Sequence, residues 1–175
     1  MAHSAVAILF AVCVAGTGAT PTLGNLKEAL DTDGKIFVVS RTFQRTESNS
    51  PNRCISANLT KLEENNYRFT QRFKAGTNWE AKDYYARLKT ESDGEPGFIV
   101  STEKGSEGER YTLKHWDNKN HCGVLTLKFG DQTHCELHAW EEAITDSESP
   151  CAEKLKELCP SKEIYHPYTR EDCTN

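Results

Sequence analysis

Between Thr133 and Trp140 the chain reads Thr-His-Cys-Glu-Leu-His-Ala-Trp. As a strand, this stretch alternates: His134, Glu136, His138 and Trp140 share one face, and Cys135, Leu137 and Ala139 share the other. A carboxylate set among imidazoles and an indole is suited to holding an organic cation. An ammonium group leaving water needs a counter-ion and further hydrogen bonds, and aromatic faces add about 0.5–2 kcal/mol each. On a flat sheet that face meets solvent. In a closed barrel it lines the lumen, and Glu136 becomes the acid of a binding site.

Other residues fit the same chemistry. Asp83 lies in phase with Trp79, Ala81, Tyr85 and Arg87 on one strand, and is the second candidate acid. Phe43, Tyr85 and Trp140 are the aromatic candidates, and His138 suits a cation or an anion. An acidic lipid asks for the reverse, an apolar bore and a cation. Leu113, Leu125 and Leu127 could line such a bore, with Arg68, Arg72 or Arg87 as the cation; only Arg87 shares the face of Asp83.

Enzyme chemistry is not indicated. The sequence has no GxSxG turn and no His/Ser/Asp order, and its histidines fit no zinc-hydrolase helix motif. No cofactor motif is present. A formal net charge of -5 disfavours nucleic acid or an anionic membrane as partner.

The elements that must position these residues can be read along the chain. Residues 1–19 hold an apolar run, Ala5 to Ala15, followed by small residues, which fits a secretory signal and is too short to span a bilayer. Residues 20–175 then form one domain, soluble and extracellular. Cys13 leaves with the signal. Cys54, Cys122, Cys135, Cys151, Cys159 and Cys173 remain, an even number that implies three disulfides among fifteen connectivities. Their spacings match no CxxC-type zinc pattern.

A short helix is expected over Leu23 to Leu30, with Asn25-Leu-Lys-Glu28 in capping-box form. Eight strands follow: Lys35 to Phe43, Cys54 to Leu62, Tyr67 to Lys74, Trp79 to Lys89, Phe98 to Thr102, Arg110 to Trp116, one from Cys122, and Thr133 to Trp140. Gln44 to Arg53 reads as a polar loop, and Glu103 to Glu109 as another. Ser149-Pro150 begins a second helix, on which Cys151, Leu155, Leu158 and Cys159 form one face. That face offers two cysteines to a hairpin carrying two more. The fold class is all-β: eight antiparallel strands in meander order close into a barrel, because closure removes the sheet edges. An eight-stranded barrel holds one small ligand. A β-sandwich is the competing architecture. Asn58-Leu-Thr60 is the single sequon, a glycosylation site where Asn58 faces outward.

Several stretches carry a family resemblance. They are Lys27 to Phe43, Phe73-Lys-Ala-Gly-Thr-Asn-Trp79, Cys122-Gly-Val124, Cys135-Glu-Leu137 and the ending Tyr165 to Cys173. In these the chain resembles the tick salivary lipocalins, the histamine-binding protein family, and its soft-tick members in particular. The general lipocalin GxW signature is not kept; Gly24-Asn-Leu26 stands in its place.

The resemblance implies a lipocalin barrel with the second helix packed outside, and disulfides Cys54–Cys173, Cys122–Cys151 and Cys135–Cys159. It implies a secreted, monomeric, non-enzymatic scavenger of small host mediators: histamine or serotonin, or alternatively a leukotriene or thromboxane. Some relatives bind complement protein. Amine binders in the family carry Cys-Asp-aliphatic, Glu-Leu-aromatic and Cys in order. Here Glu136 matches, while Gly123 replaces the Asp and His138 the aromatic residue. One amine per barrel is therefore expected rather than two.

Overall fold

The computed structural model describes residues 20–47, 49–145 and 149–173. The expected signal segment lies outside them.

Helix α1 spans Leu23–Leu30 and stops at Asp31. Its capping box uses Thr22 as N-cap and Asn25 at the third helical position: Thr22 Oγ1 accepts from Asn25 N, and Thr22 N donates to Asn25 Oδ1. The box therefore begins three residues before the expected Asn25–Glu28 pair. Leu23 and Leu26 pack on the same interior cluster, so the helix takes in Leu23 and its cap falls at Thr22. Glu28 is used elsewhere, as the acceptor for the Trp116 indole at 3.1 Å.

Among the described residues nine strands follow: β1 (Lys35–Arg41), β2 (Thr46–Glu47), β3 (Ser50–Glu63), β4 (Asn66–Ala75), β5 (Asn78–Thr90), β6 (Pro96–Ser101), β7 (Glu109–Asp117), β8 (Cys122–Phe129) and β9 (Gln132–Trp140). Each long neighbour pair is antiparallel, in the order β1-β9-β8-β7-β6-β5-β4-β3, and β1 pairs back onto β3. Eight strands thus close the wall. Strand β2 is a two-residue flap on β3, in what reads from sequence as an unstructured polar loop. A 3-10 turn (Glu141–Ala143), helix α2 (Ala152–Leu158) and helix α3 (Arg170–Cys173) complete the chain.

Apolar side chains bury on both sides of the wall. Inside, Leu26 of α1 packs with Tyr67, Phe69, Leu88, Phe98, Leu113 and Leu125 and plugs one end. Trp140 Nε1 donates to the Ala29 carbonyl at 2.9 Å, which pins α1 across that end. Outside, Leu155 of α2 packs on Phe37, Val39, Val124 and Leu137. Three disulfides fasten this outer layer: Cys54–Cys173, Cys122–Cys151 and Cys135–Cys159, the pairs that the resemblance implies. Cys151, Leu155 and Cys159 are the buried face of α2, with Leu158 at its margin. Asn58 is exposed.

One irregularity matters for the lumen. Strict alternation puts Arg41 on the outer face with Phe37 and Val39. A register shift between Val38 and Ser40 breaks the alternation, and Arg41 falls opposite Glu136. Beyond the shift, the outer edge of β1 pairs with the C-terminal segment: Arg41 N donates to Tyr165 O (2.9 Å), and Tyr165 N to Arg41 O (2.8 Å).

Candidate functional site

The end of the barrel opposite α1 is open. A cavity of about 550 Å³ enters there, lined by Val38, Ile55, Phe73, Val100 and Phe129 as well as by polar groups. It continues into a smaller chamber of about 70 Å³, reached past Tyr111 and Glu136 and walled by Leu30, Ile36, Phe69 and Phe98. The larger volume lies in the range of sites for small organic ligands.

Glu136 stands where the two chambers meet and is 4% exposed. His138 Nε2 donates to its Oε2 at 3.0 Å, since an ionised carboxylate can only accept. Burial is the largest influence on the Glu136 carboxyl and raises its pKa. The hydrogen bond and charge of His138, and then the charges of Arg41 and Arg45, outweigh it, so the pKa falls below the ordinary carboxylate value. Glu136 is therefore an ionised acid held away from water.

The cations beside it are largely committed. Arg45 pairs with Glu109 and lies over the touching rings of Phe43 (5.3 Å) and Phe129 (5.2 Å). Lys82 pairs with Glu47. Arg41 is 2% exposed; its Nη2 donates to the Asn52 carbonyl at 3.0 Å, and its guanidinium lies 5.4 Å from the Phe43 ring. The cavity thus sets Arg41, Arg45 and Lys82 against Glu47, Glu109 and Glu136. Tyr111 donates to Glu109 at 2.9 Å and stacks on Phe98, and its pKa is driven well up, first by burial.

The other expected residues fall in different places. His138 holds Glu136 and lines the inner chamber. Phe43 is buried against Phe129 and His134 and forms the shelf under the two arginines. Trp140 belongs to the floor: its N–H is spent on α1, and its ring stacks on His121 at 4.0 Å. Asp83 and Tyr85 are corrections to the sequence reading, because both lie on the outer face. Asp83 is exposed, accepting from Thr70 Oγ1 (2.6 Å) and Arg68 Nη2 (3.4 Å). Ala86 and Leu88 bury into the lumen and fix the phase of β5, which turns residues 83, 85 and 87 outward. Arg68, Arg72 and Arg87 share that outer side, so the cations suggested for an acidic lipid do not reach the bore. Leu113 and Leu125 line a small void of about 30 Å³ in the floor rather than an open channel.

Gly123 also faces this floor. A Cβ there would stand 2.8 Å from the His115 carbonyl oxygen and 3.2 Å from the Trp116 ring, so the carboxylate of the two-amine relatives has no room. The lumen residues that sequence reasoning missed include Arg41, Arg45, Lys82, Glu109, Tyr84 and Tyr111.

Comparison with known proteins bears on this geometry. The family model for the tick histamine binding protein matches residues 20–175. The chain belongs to that family. No curated protein sequence matches it. Among solved structures it is similar to AM182 in complex with serotonin, at 17% identity and TM-score 0.62, over 85% of this chain and 91% of that one. Japanin from Rhipicephalus appendiculatus bound to cholesterol is similar at 12% identity and TM-score 0.54, over 79% of this chain and 95% of that one. Insecticyanin from the tobacco hornworm Manduca sexta matches at 10% identity and TM-score 0.59, over 88% and 86% respectively. The fold is a lipocalin barrel, and the family is one of small-ligand binders rather than enzymes.

Proposed function

We propose that the protein is secreted, after removal of a signal within residues 1–19, and sequesters a host biogenic amine in its barrel to blunt inflammation and haemostasis. The single observation that carries this reading is Glu136, an ionised acid 4% exposed at the centre of the cavity. A buried charge is costly unless it is paired. His138 supplies one hydrogen bond, Arg41 and Arg45 offset part of the charge from further away, and an ammonium ligand would supply a direct counter-charge. Tyr84, Tyr111, Phe73 and Phe129 furnish aromatic surface around it. Family membership and the three disulfides, which suit an oxidising compartment, support the same reading.

A second reading is an acidic lipid such as an eicosanoid. It is favoured by the Arg41 guanidinium in the same cavity, with the apolar inner chamber beyond.

Calorimetry with histamine, serotonin and a leukotriene separates the two. The amine reading expects one histamine or serotonin per barrel, because the Gly123 floor is filled. Clean two-site amine binding contradicts the single site. Tight leukotriene binding with no amine binding replaces the first reading with the second.

A further inference from the structure

The arginines that do not reach the bore collect on one outer face of the barrel. On β4 and β5 the register sets Lys74 opposite Trp79, Arg72 opposite Ala81, Arg68 opposite Tyr85 and Asn66 opposite Arg87. Aromatic rings lie beside the cations. The Trp79 ring is 5.1 Å from both the Arg72 guanidinium and Lys74 Nζ, and the Tyr85 ring is 5.8 Å from Arg68. Trp79 is nevertheless 39% exposed, on a part of β5 where residues 78–83 all meet solvent. At the far end of the row Tyr85, Arg87 and Ile99 line a cleft of about 400 Å³, which Lys104 and Ser106 border from the segment after β6. The nearby acids are engaged: Asp83 accepts from Thr70 and Arg68, and Glu63 has a partner of its own. Among the described residues, Arg72, Arg87 and Lys104 pair with no carboxylate. In a chain of formal net charge -5 this face is a local concentration of positive charge.

We propose that this stripe docks a sulfated polysaccharide, holding the protein on an extracellular surface while the lumen remains free. The inference rests on the reading that the protein is secreted and not on which ligand fills the barrel. The length of the stripe suits a polymer. Alternate β4 positions are about 6.7 Å apart, and the row from Lys74 to Asn66 and Arg87 runs about 27 Å, so repeated anions are matched where a single anion is not. Guanidinium groups answer sulfate oxygens with charge-assisted, paired hydrogen bonds, and the Trp79 indole offers an apolar face to a sugar ring. An acidic peptide added as a strand finds no edge here, because β4 and β5 are each paired on both sides. An extended anionic membrane would repel the rest of this acidic chain, whereas a linear polymer touches the stripe alone.

Asn58 lies opposite Thr70 at the border of the stripe, so the test uses full mature protein carrying no glycan there. Calorimetry with a heparin octasaccharide at about 0.15 M salt is expected to show binding that weakens as salt rises. Replacing Arg68, Arg72 and Arg87 together by Gln should lower that affinity about tenfold or more. Trp79→Ala should lower it by a smaller factor. All four side chains are exposed, so the variants should fold as the wild type does, which circular dichroism checks. Replacing Lys119, Lys128 and Lys154 by Gln removes the same charge elsewhere and should leave affinity within about threefold. Absence of binding in the wild type overturns the proposal, as does full binding in the triple arginine variant. An equal loss in the lysine control reduces the effect to net charge and overturns it as well. Binding to phosphatidylserine vesicles with none to the octasaccharide assigns the stripe to a membrane instead.

Discussion

At the scale of single residues, the behaviour of the site turns on how Glu136 is held. Its folded pKa lies below the ordinary value because His138, Arg41 and Arg45 together outweigh the effect of burial. The sign follows from linkage. The ionised carboxylate stabilises the fold above its unfolded pKa, and that contribution is lost as pH falls through the folded pKa. Urea unfolding followed from about pH 7 to about pH 3 should show a steeper acid loss in the wild type than in Glu136→Gln. Matching acid profiles would mean that Glu136 is not the ionised group described. Glu136 was readable from its own strand, since Cys135 and Leu137 mark the opposite face as the one that packs. Arg41 was not, because the register shift in β1 reverses its side and no Gly or Pro announces that shift. The lumen cations were therefore sought on β4 and β5, where the arginines point out.

At the scale of elements, phase and end-capping decide which side chain does what. Strand β5 carries aromatic residues in both phases, Trp79 and Tyr85 in one and Tyr84 in the other. Alternation alone leaves the choice open, and burial of Ala86 and Leu88 resolves it. The first residues of β5, 78–83, are exposed on both faces, so they carry no inward signal at all. Helix α1 was readable to its boundaries, while its cap was misplaced because Thr22 and Asn25 are both good capping residues. Trp140 ties α1 to the floor through the Ala29 carbonyl. Trp140→Phe should therefore lower unfolding stability by about 1–2 kcal/mol, the worth of a buried hydrogen bond with some lost packing, and leave amine affinity within a factor of about two. A large loss of affinity with unchanged stability would return Trp140 to the ligand site.

For the whole molecule, the closed wall explains why one strand face can hold a charge out of water. Strands β1 and β3 close the sheet, α1 seals one end, and α2 with the C-terminal segment clads the outside of β1, β8 and β9. Strand number, meander order and the two helices could be read from periodicity and turn residues. The disulfide partners could not, since six cysteines allow fifteen pairings and only the family resemblance selects among them. The bridge from Cys54 to Cys173 closes 119 residues of chain. In the chain-entropy model such a loop contributes about 4–5 kcal/mol, which helps the barrel tolerate polar groups in its lumen.

The central claim is that Glu136 is the counter-ion of a bound amine, and one substitution tests it. Glu136→Gln keeps the shape and hydrogen-bonding capacity of the side chain and removes its charge. Calorimetry of wild type and variant with serotonin and histamine should show the variant folded and its amine affinity reduced by about 2–5 kcal/mol, some tens to thousands of times. Leukotriene binding, if any, should be unchanged or stronger, because a repelling carboxylate has gone. Amine binding that is equally tight in the folded variant would contradict the account.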